Sequence, residues 1–209
     1  MQTILLADDH PMFRQGLKAL LERENFEIVA EADDGHTAVR QARHLNPNVA
    51  VLDLNMPLLN GIDAARDIHK RAPNTYVILL TMYEEEAYVL EALRAGIRGY
   101  VLKAQAAVDL LNAIHEVMRG AIYLSPGISK TVVDAYMGNS VLPPDPLSDR
   151  ERQVLQLVAE GKTTKQIASI LGLSVKTADS HRTRIMQKLE IHETANLVRY
   201  AIRRGFIRV

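Results

Sequence analysis

Polar side chains that could bind phosphate or a cation follow four of the short apolar runs in the sequence. Asp8 and Asp9 come after the first run, Asp53 after the third, Thr81 after the fourth and Lys103 after the fifth. If these runs are strands of one open parallel sheet, ligands bind beyond their carboxyl ends, where these side chains would meet. The sequence therefore predicts one site that contains three carboxylates, a hydroxyl and an ammonium group.

The chemistry expected of such a site is phosphoryl transfer assisted by a divalent cation. Three clustered carboxylates repel one another, and a hard cation such as Mg²⁺ relieves the repulsion by binding carboxylates, a main-chain carbonyl and waters. A carboxylate beside that cation can attack a phosphoryl group while an ammonium and a hydroxyl neutralise the phosphoryl oxygens. Asp53, Lys103 and Thr81 suit these three roles.

The elements that must position these residues are alternating strands and helices. Apolar runs alternate with helix-period segments over the first 120 residues, which is typical of the strand–helix units of a parallel sheet. The predicted fold class is α/β, with a doubly wound, five-stranded parallel sheet and five helices. The predicted strands are Ile4–Ala7, Glu27–Ala30, Val49–Leu52, Tyr76–Leu80 and Gly99–Leu102.

Proline and glycine change the character of the sequence after residue 124. The stretches 125–127 and 142–146 predict a linker over residues 125–145, because proline disfavours regular pairing and keeps the chain extended. The predicted domains are thus residues 1–124 and 146–209 on either side of that linker. One short helix could form within the linker through Ile128, Val132 and Tyr136.

From Ser148 onward the pattern is helical and predicts a small all-α domain of four helices. Ser148 and Glu151 form a capping box, and Gly172-Leu173-Ser174 leaves only a tight turn between the second and third helices. Two helices joined in this way form a helix-turn-helix. Helical spacing in the third helix predicts an inward stripe of Ala178, Ile185 and Leu189 and an outward face of Lys176, Ser180, Thr183 and Gln187.

Charge is distributed unevenly, although the formal net charge of the chain is zero. Residues 1–124 carry 12 basic and 17 acidic side chains, whereas residues 146–209 carry 12 basic and 6 acidic ones. A basic C-terminal third predicts an anionic partner, with nucleic acid favoured over a membrane surface. The absence of cysteine excludes thiolate metal sites and suits the cytoplasm. The sequence contains no run of about 18 apolar residues, so we expect no membrane-spanning helix.

The first 124 residues resemble the receiver domains of two-component response regulators. The resemblance rests on the pair Asp8-Asp9, the stretch Asp53-Leu-Asn-Met-Pro-Leu-Leu-Asn-Gly61, the strand end Thr81 and the stretch Gly96–Lys103. It implies that Asp53 accepts a phosphoryl group from a sensor histidine kinase. The other roles that it implies are phosphoryl binding by Thr81 and Lys103, Mg²⁺ ligation by Asp9, Asp53 and the main-chain carbonyl of Asn55, and assistance from Asp8 through water.

Three further positions in this region are interpreted from the same resemblance. Tyr100 stands where receivers have an aromatic residue that turns inward when Thr81 shifts toward the phosphate, and a half-buried strand tyrosine is the alternative. Met82 stands where many receivers have a small residue, which predicts narrower phosphoryl access. Ala104 follows Lys103 where the family often has proline after a cis bond, and a cis bond before alanine would cost about 3 kcal/mol.

The region from about Leu147 to Ile202 contains the stretches Leu147–Leu155 and Gly161–Ala168, followed by Leu173-Ser174, Thr177, His181 and Lys188-Leu189. Through these residues it resembles the LuxR-type helix-turn-helix of response regulators of the NarL/FixJ class. The resemblance implies that the third helix reads DNA and that the last helix helps to form dimers. Asp179 either accepts a hydrogen bond from cytosine N4 or balances neighbouring charge. The implied base contacts are Asp179, Ser180 and Thr183, and the phosphate candidates are Lys162, Thr164, Lys165, Lys176, Arg184 and Lys188.

Acidic and basic motifs in one chain favour a cytoplasmic transcription factor over an enzyme. Phosphorylation of Asp53 would release the basic domain or promote homodimers that bind promoter DNA. One alternative is a Mg²⁺-dependent phosphatase with Asp53 as nucleophile, although such enzymes usually place a second acid where this chain has Asn55. The other alternative is a constitutive DNA binder whose receiver serves only for dimerisation.

Overall fold

The computed structural model describes residues 1–129 and 146–207. The chain divides into two compact units, Met1–Leu142 and Pro143–Val209. Most of the predicted linker lies outside the described residues, and so do Val132 and Tyr136 of its short helix. The domain boundaries at 124 and 146 therefore stay predictions.

Strands and helices alternate through the first unit. The strands are β1 (Gln2–Ala7), β2 (Phe26–Ala32), β3 (Val49–Asp53), β4 (Tyr76–Thr81), β5 (Gly99–Leu102) and β6 (Tyr123–Leu124). The helices are α1 (Pro11–Arg23), α2 (Gly35–Leu45), α3 (Gly61–Arg71), α4 (Glu86–Arg94) and α5 (Ala106–Met118). All neighbouring strands run parallel, in the order β2-β1-β3-β4-β5-β6.

The sheet has one strand more than the five that the sequence predicts. The additional strand, β6, consists of two residues that pair with Gly99 and Tyr100 of β5. A two-residue strand is too short to show the periodicity by which strands are recognised in a sequence. The α/β class and the parallel arrangement are confirmed, and the number of strands is corrected to six.

The two faces of the sheet bury separate apolar clusters because successive side chains of a strand point to opposite faces. Leu5 and Leu52 belong to the cluster that also contains buried residues of α2, α3 and α4. Ile4 and Val51 belong to the cluster that contains buried residues of α1 and α5. With helices on both faces the sheet is doubly wound, which leaves the carboxyl ends of its central strands as the place for a site.

The second unit contains four helices among its described residues, as predicted. They are α6 (Asp149–Ala159), α7 (Thr164–Leu171), α8 (Val175–Lys188) and α9 (Thr194–Arg203). Capping boxes begin α6 and α7, and Gly172 ends α7 in the left-handed conformation with φ of 63°. Ser174 caps α8 directly afterwards, which completes the helix-turn-helix. The described residues include no helix with the length and apolar character that crossing a membrane requires.

Candidate functional site

Three carboxylates converge at the carboxyl ends of β1 and β3. Asp53 is the last residue of β3 and is fully buried, and Asp8, directly after β1, is 2% exposed. Asp9 is exposed, and one potential ligand atom from each of these residues and from His10 lies within 4.8 Å of the others. The strand ends thus bring Asp8, Asp9 and Asp53 into one acidic pocket, the name used below for these three residues with His10 and Lys103.

Lys103 places its ammonium group between two carboxylates of the acidic pocket. Its Nζ atom lies 2.7 Å from Asp8 Oδ2 and 3.0 Å from Asp53 Oδ2, and its side chain is 9% exposed. The same ammonium lies 4.8 Å from the centre of the Phe13 ring. Because buried charges are retained only when they are paired, Lys103 offsets part of the repulsion among the carboxylates.

His10 is a pocket residue that the sequence analysis missed. Its Nδ1 atom lies 2.7 Å from Asp9 Oδ1 and 3.2 Å from Asp8 Oδ1, and about half of its side chain is exposed. Its main-chain N–H also donates to Asp8 Oδ1 at 2.8 Å. Its adjacency to the Asp8-Asp9 pair was the signal available in the sequence.

The donor set of the acidic pocket suits a hard divalent cation. Three carboxylates offer several oxygen atoms within a small radius, and oxygen is the ligand that such cations prefer. The single imidazole of His10 lies at the exposed side of the cluster. The pocket can therefore hold a metal ion.

Thr81 and Tyr100 are joined through the main chain of Tyr83. Thr81, the last residue of β4, is buried, and its Oγ1 atom accepts a hydrogen bond from Tyr83 N at 3.1 Å. The Tyr100 hydroxyl donates to Tyr83 O at 2.9 Å. Burial raises the pKa of the Tyr100 phenol far above its usual value, against the opposing effect of a hydrogen bond with Thr81. The Tyr100 side chain is fully buried, not half-buried, and already points inward.

The other positions considered in the first unit each follow the end of β3, β4 or β5 in the sequence. Asn55 is 8% exposed, and both polar atoms of its side-chain amide are buried without a hydrogen-bond partner. Met82, beside Thr81, is 62% exposed. The Lys103–Ala104 peptide bond is trans, as are all peptide bonds between described residues. The family's proline is absent here, and alanine adopts the ordinary trans geometry.

Helix α8 of the second unit presents a polar face to solvent. Ala178 and Ile185 are buried, which confirms the inward direction predicted for them, whereas Leu189 is half-buried. On the other side, the Ser180 hydroxyl donates to Lys176 O at 2.9 Å and the Thr183 hydroxyl donates to Asp179 O at 3.1 Å. The predicted DNA contacts that are exposed on α8 are Lys176, Asp179, Thr183, Arg184 and Lys188, and Ser180 is half-buried.

Lys188 differs from the other cations of this face because it has partners within its own unit. Its Nζ atom lies 2.7 Å from Glu151 Oε2 and donates to Pro146 O at 3.1 Å. Burial would raise the pKa of the Glu151 carboxyl, but hydrogen bonds from Lys188 and Ser148 outweigh it and lower that pKa. The remaining predicted phosphate contacts lie at the start of α7. Thr164 is the first residue of this helix, Lys165 is the second, and Lys162 precedes the capping residue.

His181 lies at the inward margin of α8. Its Nδ1 atom is buried and has no hydrogen-bond partner, and burial, followed by the nearby charge of Arg184, lowers the pKa of the imidazole. A neutral imidazole that is partly buried in this way fits a packing role better than contact with a phosphate.

Two family models match the chain, one for each unit. The response regulator receiver domain matches residues 4–115, and the bacterial regulatory proteins of the luxR family match residues 145–201. The first model alone covers more than half of the chain. The acidic pocket and the helix-turn-helix thus lie in regions that match two independent families.

Relatives with both regions cover nearly the whole chain. The transcriptional regulatory protein MctR of Rhizobium johnstonii is 37% identical over 98% of this chain and 94% of its own length. The oxygen regulatory protein NreC of Staphylococcus carnosus is 36% identical over 98% of both chains. These similarities extend across both units and the residues between them.

Among solved structures, RcsB of Salmonella enterica serovar Typhimurium is similar over 95% of this chain and 97% of its own, with a TM-score of 0.64 and 29% identity. That structure contains the rprA promoter and the phosphomimetic BeF3⁻. A second structure, with a TM-score of 0.61 and 30% identity, is described as a two-component response regulator RcsB–DNA complex. Sequence, fold and architecture agree, and the chain belongs to the two-component response regulators that join a receiver domain to a LuxR-type DNA-binding domain.

Proposed function

We propose that this chain is a transcription factor whose affinity for promoter DNA is set by phosphorylation of Asp53. The observation that carries the proposal is the position of Lys103, whose ammonium bridges Asp8 and Asp53 in a pocket that also contains Asp9. A buried carboxylate held beside an ammonium and a cation site is arranged to receive a phosphoryl group. The phosphoryl donor is the phosphohistidine of a sensor histidine kinase.

In the proposed transfer, an Asp53 carboxylate oxygen attacks phosphorus, and the bond between phosphorus and the donor's imidazole nitrogen breaks. The electron pair of that bond stays on the nitrogen, so the imidazole is released. Lys103 exchanges its contact with the Asp53 oxygen for one with a phosphoryl oxygen, and the Thr81 hydroxyl donates to another. Bound Mg²⁺, held by Asp9, Asp53 and the Asn55 carbonyl with Asp8 acting through water, would neutralise charge on the transferring group.

The signal passes from the pocket to Tyr100 in this proposal. When the Thr81 hydroxyl turns toward a phosphoryl oxygen, its contact with Tyr83 N is released. Tyr83 O also accepts the hydrogen bond of Tyr100, so a shift of residue 83 changes the environment of the buried phenol. Moving a population from 1:99 to 99:1 would require about 5.5 kcal/mol of differential affinity, to which these contacts contribute.

In the DNA-bound state we expect α8 to lie in the major groove. An outward polar face above a buried apolar stripe is the arrangement that groove-reading helices use. Asp179, Ser180 and Thr183 would meet base edges, whereas the phosphate contacts would come from Lys162, Thr164, Lys165, Lys176, Arg184 and Lys188.

Homodimers on paired half-sites are supported by a related structure described as two RcsB dimers bound to two parallel DNAs. Phosphorylation would then act either by promoting such dimers or by releasing the DNA-binding unit. Because its partner is promoter DNA, we place the protein in the cytoplasm.

Labelling by a phosphorylated sensor kinase, or by acetyl phosphate with Mg²⁺, tests the proposal. The wild-type chain should incorporate one phosphoryl group, which is lost in Asp53→Asn and retained in Asp33→Asn, the same change at an exposed aspartate. Continuous turnover of small phosphoesters would instead favour an aspartyl phosphatase. Labelling that leaves DNA affinity and oligomeric state unchanged would favour the constitutive DNA binder.

A further inference from the structure

Ser125, the first residue after β6, is fully buried and joins three parts of the first unit. Its main-chain N–H donates to Tyr100 O at 3.0 Å and so continues the ladder between β5 and β6. Its hydroxyl oxygen accepts a hydrogen bond from Leu102 N at 3.2 Å. The same hydroxyl donates to Asp109 Oδ2 at 2.5 Å, and Asp109 is itself 8% exposed.

The bond from Leu102 replaces one that the sheet does not provide. Strand β6 ends at Leu124, so a side-chain oxygen of Ser125 takes the place of a ladder carbonyl for the buried Leu102 N–H. A buried main-chain donor without a partner costs about 1–3 kcal/mol, which explains why the end of β5 needs an acceptor. Burial, followed by the neighbouring Asp109, also raises the pKa of the Tyr123 phenol, which places Asp109 against β6.

The two hydrogen bonds of the Ser125 hydroxyl connect residues that lie on either side of Lys103 in the sequence. Leu102 is the residue directly before it, and Asp109 lies in the first turn of α5, directly after the single 3₁₀ turn Lys103–Gln105. The Ser125 hydroxyl therefore ties together the elements on both sides of the turn that carries the lysine. The ammonium of that lysine lies 3.0 Å from Asp53 Oδ2, at the opposite end of the side chain.

We propose that Ser125 and Asp109 are positioning residues for phosphoryl transfer at Asp53: their buried hydrogen bonds fix the backbone that directs Lys103 into the acidic pocket. This inference rests on the proposed function of Asp53. Neither residue touches the phosphoryl group, and both act through the lysine. Because small misplacements of a charge-stabilising group are costly in phosphoryl transfer, weakening this support slows the reaction.

The test measures phosphoryl incorporation from acetyl phosphate and Mg²⁺ in the full chain, over a range of donor concentrations. Ser125→Ala should lower the maximal labelling rate about tenfold, with a smaller change in the half-saturating donor concentration, because the ammonium stabilises charge in the transition state. Ser129→Ala is the matched control, since this exposed serine makes only a 3.4 Å contact with Leu124 O and should label at the wild-type rate. Mg²⁺ affinity should be equal in all three proteins.

A double-mutant cycle separates a positioning role from a general loss of structure. If Ser125 acts through Lys103, the tenfold effect should shrink to less than about twofold when Ser125→Ala is added to Lys103→Ala. Asp109→Asn keeps an acceptor for the Ser125 hydroxyl and should restore most of the rate that Asp109→Ala loses. If Ser125→Ala does not fold, the same comparison is made with Asp109→Ala and Asp109→Asn, each in the wild-type and in the Lys103→Ala protein.

The labelling of wild type and the rate of Ser125→Ala test the proposed function and the positioning role separately. Wild-type protein that incorporates no phosphoryl group on Asp53 would contradict the proposed function itself. Wild-type labelling with an equal rate in Ser125→Ala, or a rate loss that persists fully in the Lys103→Ala background, would overturn the positioning role alone.

Discussion

The acidic pocket and the polar face of α8 use charge in opposite ways. In the pocket, Asp8 and Asp53 are buried and share the ammonium of Lys103, so the charges are already paired with one another. On α8, the cations Lys176 and Arg184 are exposed to solvent. Charges arranged for chemistry are fixed in advance, whereas charges arranged for a polyanion stay hydrated until the partner arrives.

Lys188 stands between these two classes. It lies on α8, the helix that we propose reads DNA, but its ammonium is paired with the buried carboxylate of Glu151, at the start of α6. Part of its charge therefore supports the fold of the unit. Position on a helix face therefore does not by itself assign a cation to DNA binding.

Removing the pocket's cation should produce the largest effect. Lys103→Ala is expected to lower the rate of Asp53 phosphorylation by about 100-fold or more, because one charge-stabilising group of a transition state typically contributes that much. Quench-flow or radiolabelled phosphoryl incorporation measures the rate. Lys70→Ala, at an exposed lysine of α3, is the matched control. An unchanged rate in Lys103→Ala would show that the buried pairing has no catalytic purpose.

Neutralising a solvent-exposed cation on α8 should affect DNA binding alone. Arg184→Ala is expected to weaken binding about tenfold at low salt and to reduce the slope of log affinity against log salt by about 0.9, the value for one phosphate contact. Titrations of labelled promoter DNA at several salt concentrations measure both. Thermal unfolding should stay unchanged, and an equal salt slope in variant and wild type would remove Arg184 from the interface.

Lys188→Ala should combine a loss of stability with a change in its pH dependence. Its removal leaves the buried Glu151 carboxylate without its ammonium, at a cost of about 1 kcal/mol after allowance for the exposure of the lysine. The pKa of Glu151 is lowered in the folded chain, so this stability is present above the ordinary glutamate pKa and lost as the pH falls through the lowered value. Urea unfolding at neutral and acidic pH measures it. A variant as stable as wild type at neutral pH would refute the structural role.

The narrowest effect is expected at Asp179, where one of two interpretations confines the loss to a single base position. If its carboxylate accepts from cytosine N4, Asp179→Ala, which removes the acceptor, should reduce discrimination at one base position by about 1–3 kcal/mol. If it balances charge, the substitution should raise affinity slightly for every sequence. Binding measured against a set of single-base operator variants separates these outcomes, and only a position-specific loss supports base reading.

The sequence predicts most of what positions the pocket, and the reason is the geometry of parallel sheets. Asp8 and Lys103 are 95 positions apart, but both follow apolar runs, and strand ends of one sheet meet at one edge. The helix-turn-helix is equally predictable, because Gly172 ends its first helix and Ser174 caps its second.

What the sequence does not reveal depends on single contacts between distant residues. The two-residue strand β6 has no period, and the buried Ser125 looks like any serine before a proline. The pairing of Lys188 with Glu151 joins positions on two different helices. His10 is adjacent to Asp8 and Asp9 in the sequence, but no spacing rule predicts that its side chain turns toward their carboxylates.

In the proposed mechanism, phosphorylation in the acidic pocket controls the affinity of the second unit for DNA. The most direct test is the dissociation constant of the full chain for promoter DNA, before and after acetyl phosphate and Mg²⁺, for wild type and Asp53→Asn. We expect binding to tighten on phosphorylation in the wild-type chain and to stay constant in the variant. An equal gain in both proteins would show that phosphorylation of Asp53 does not control the affinity for DNA.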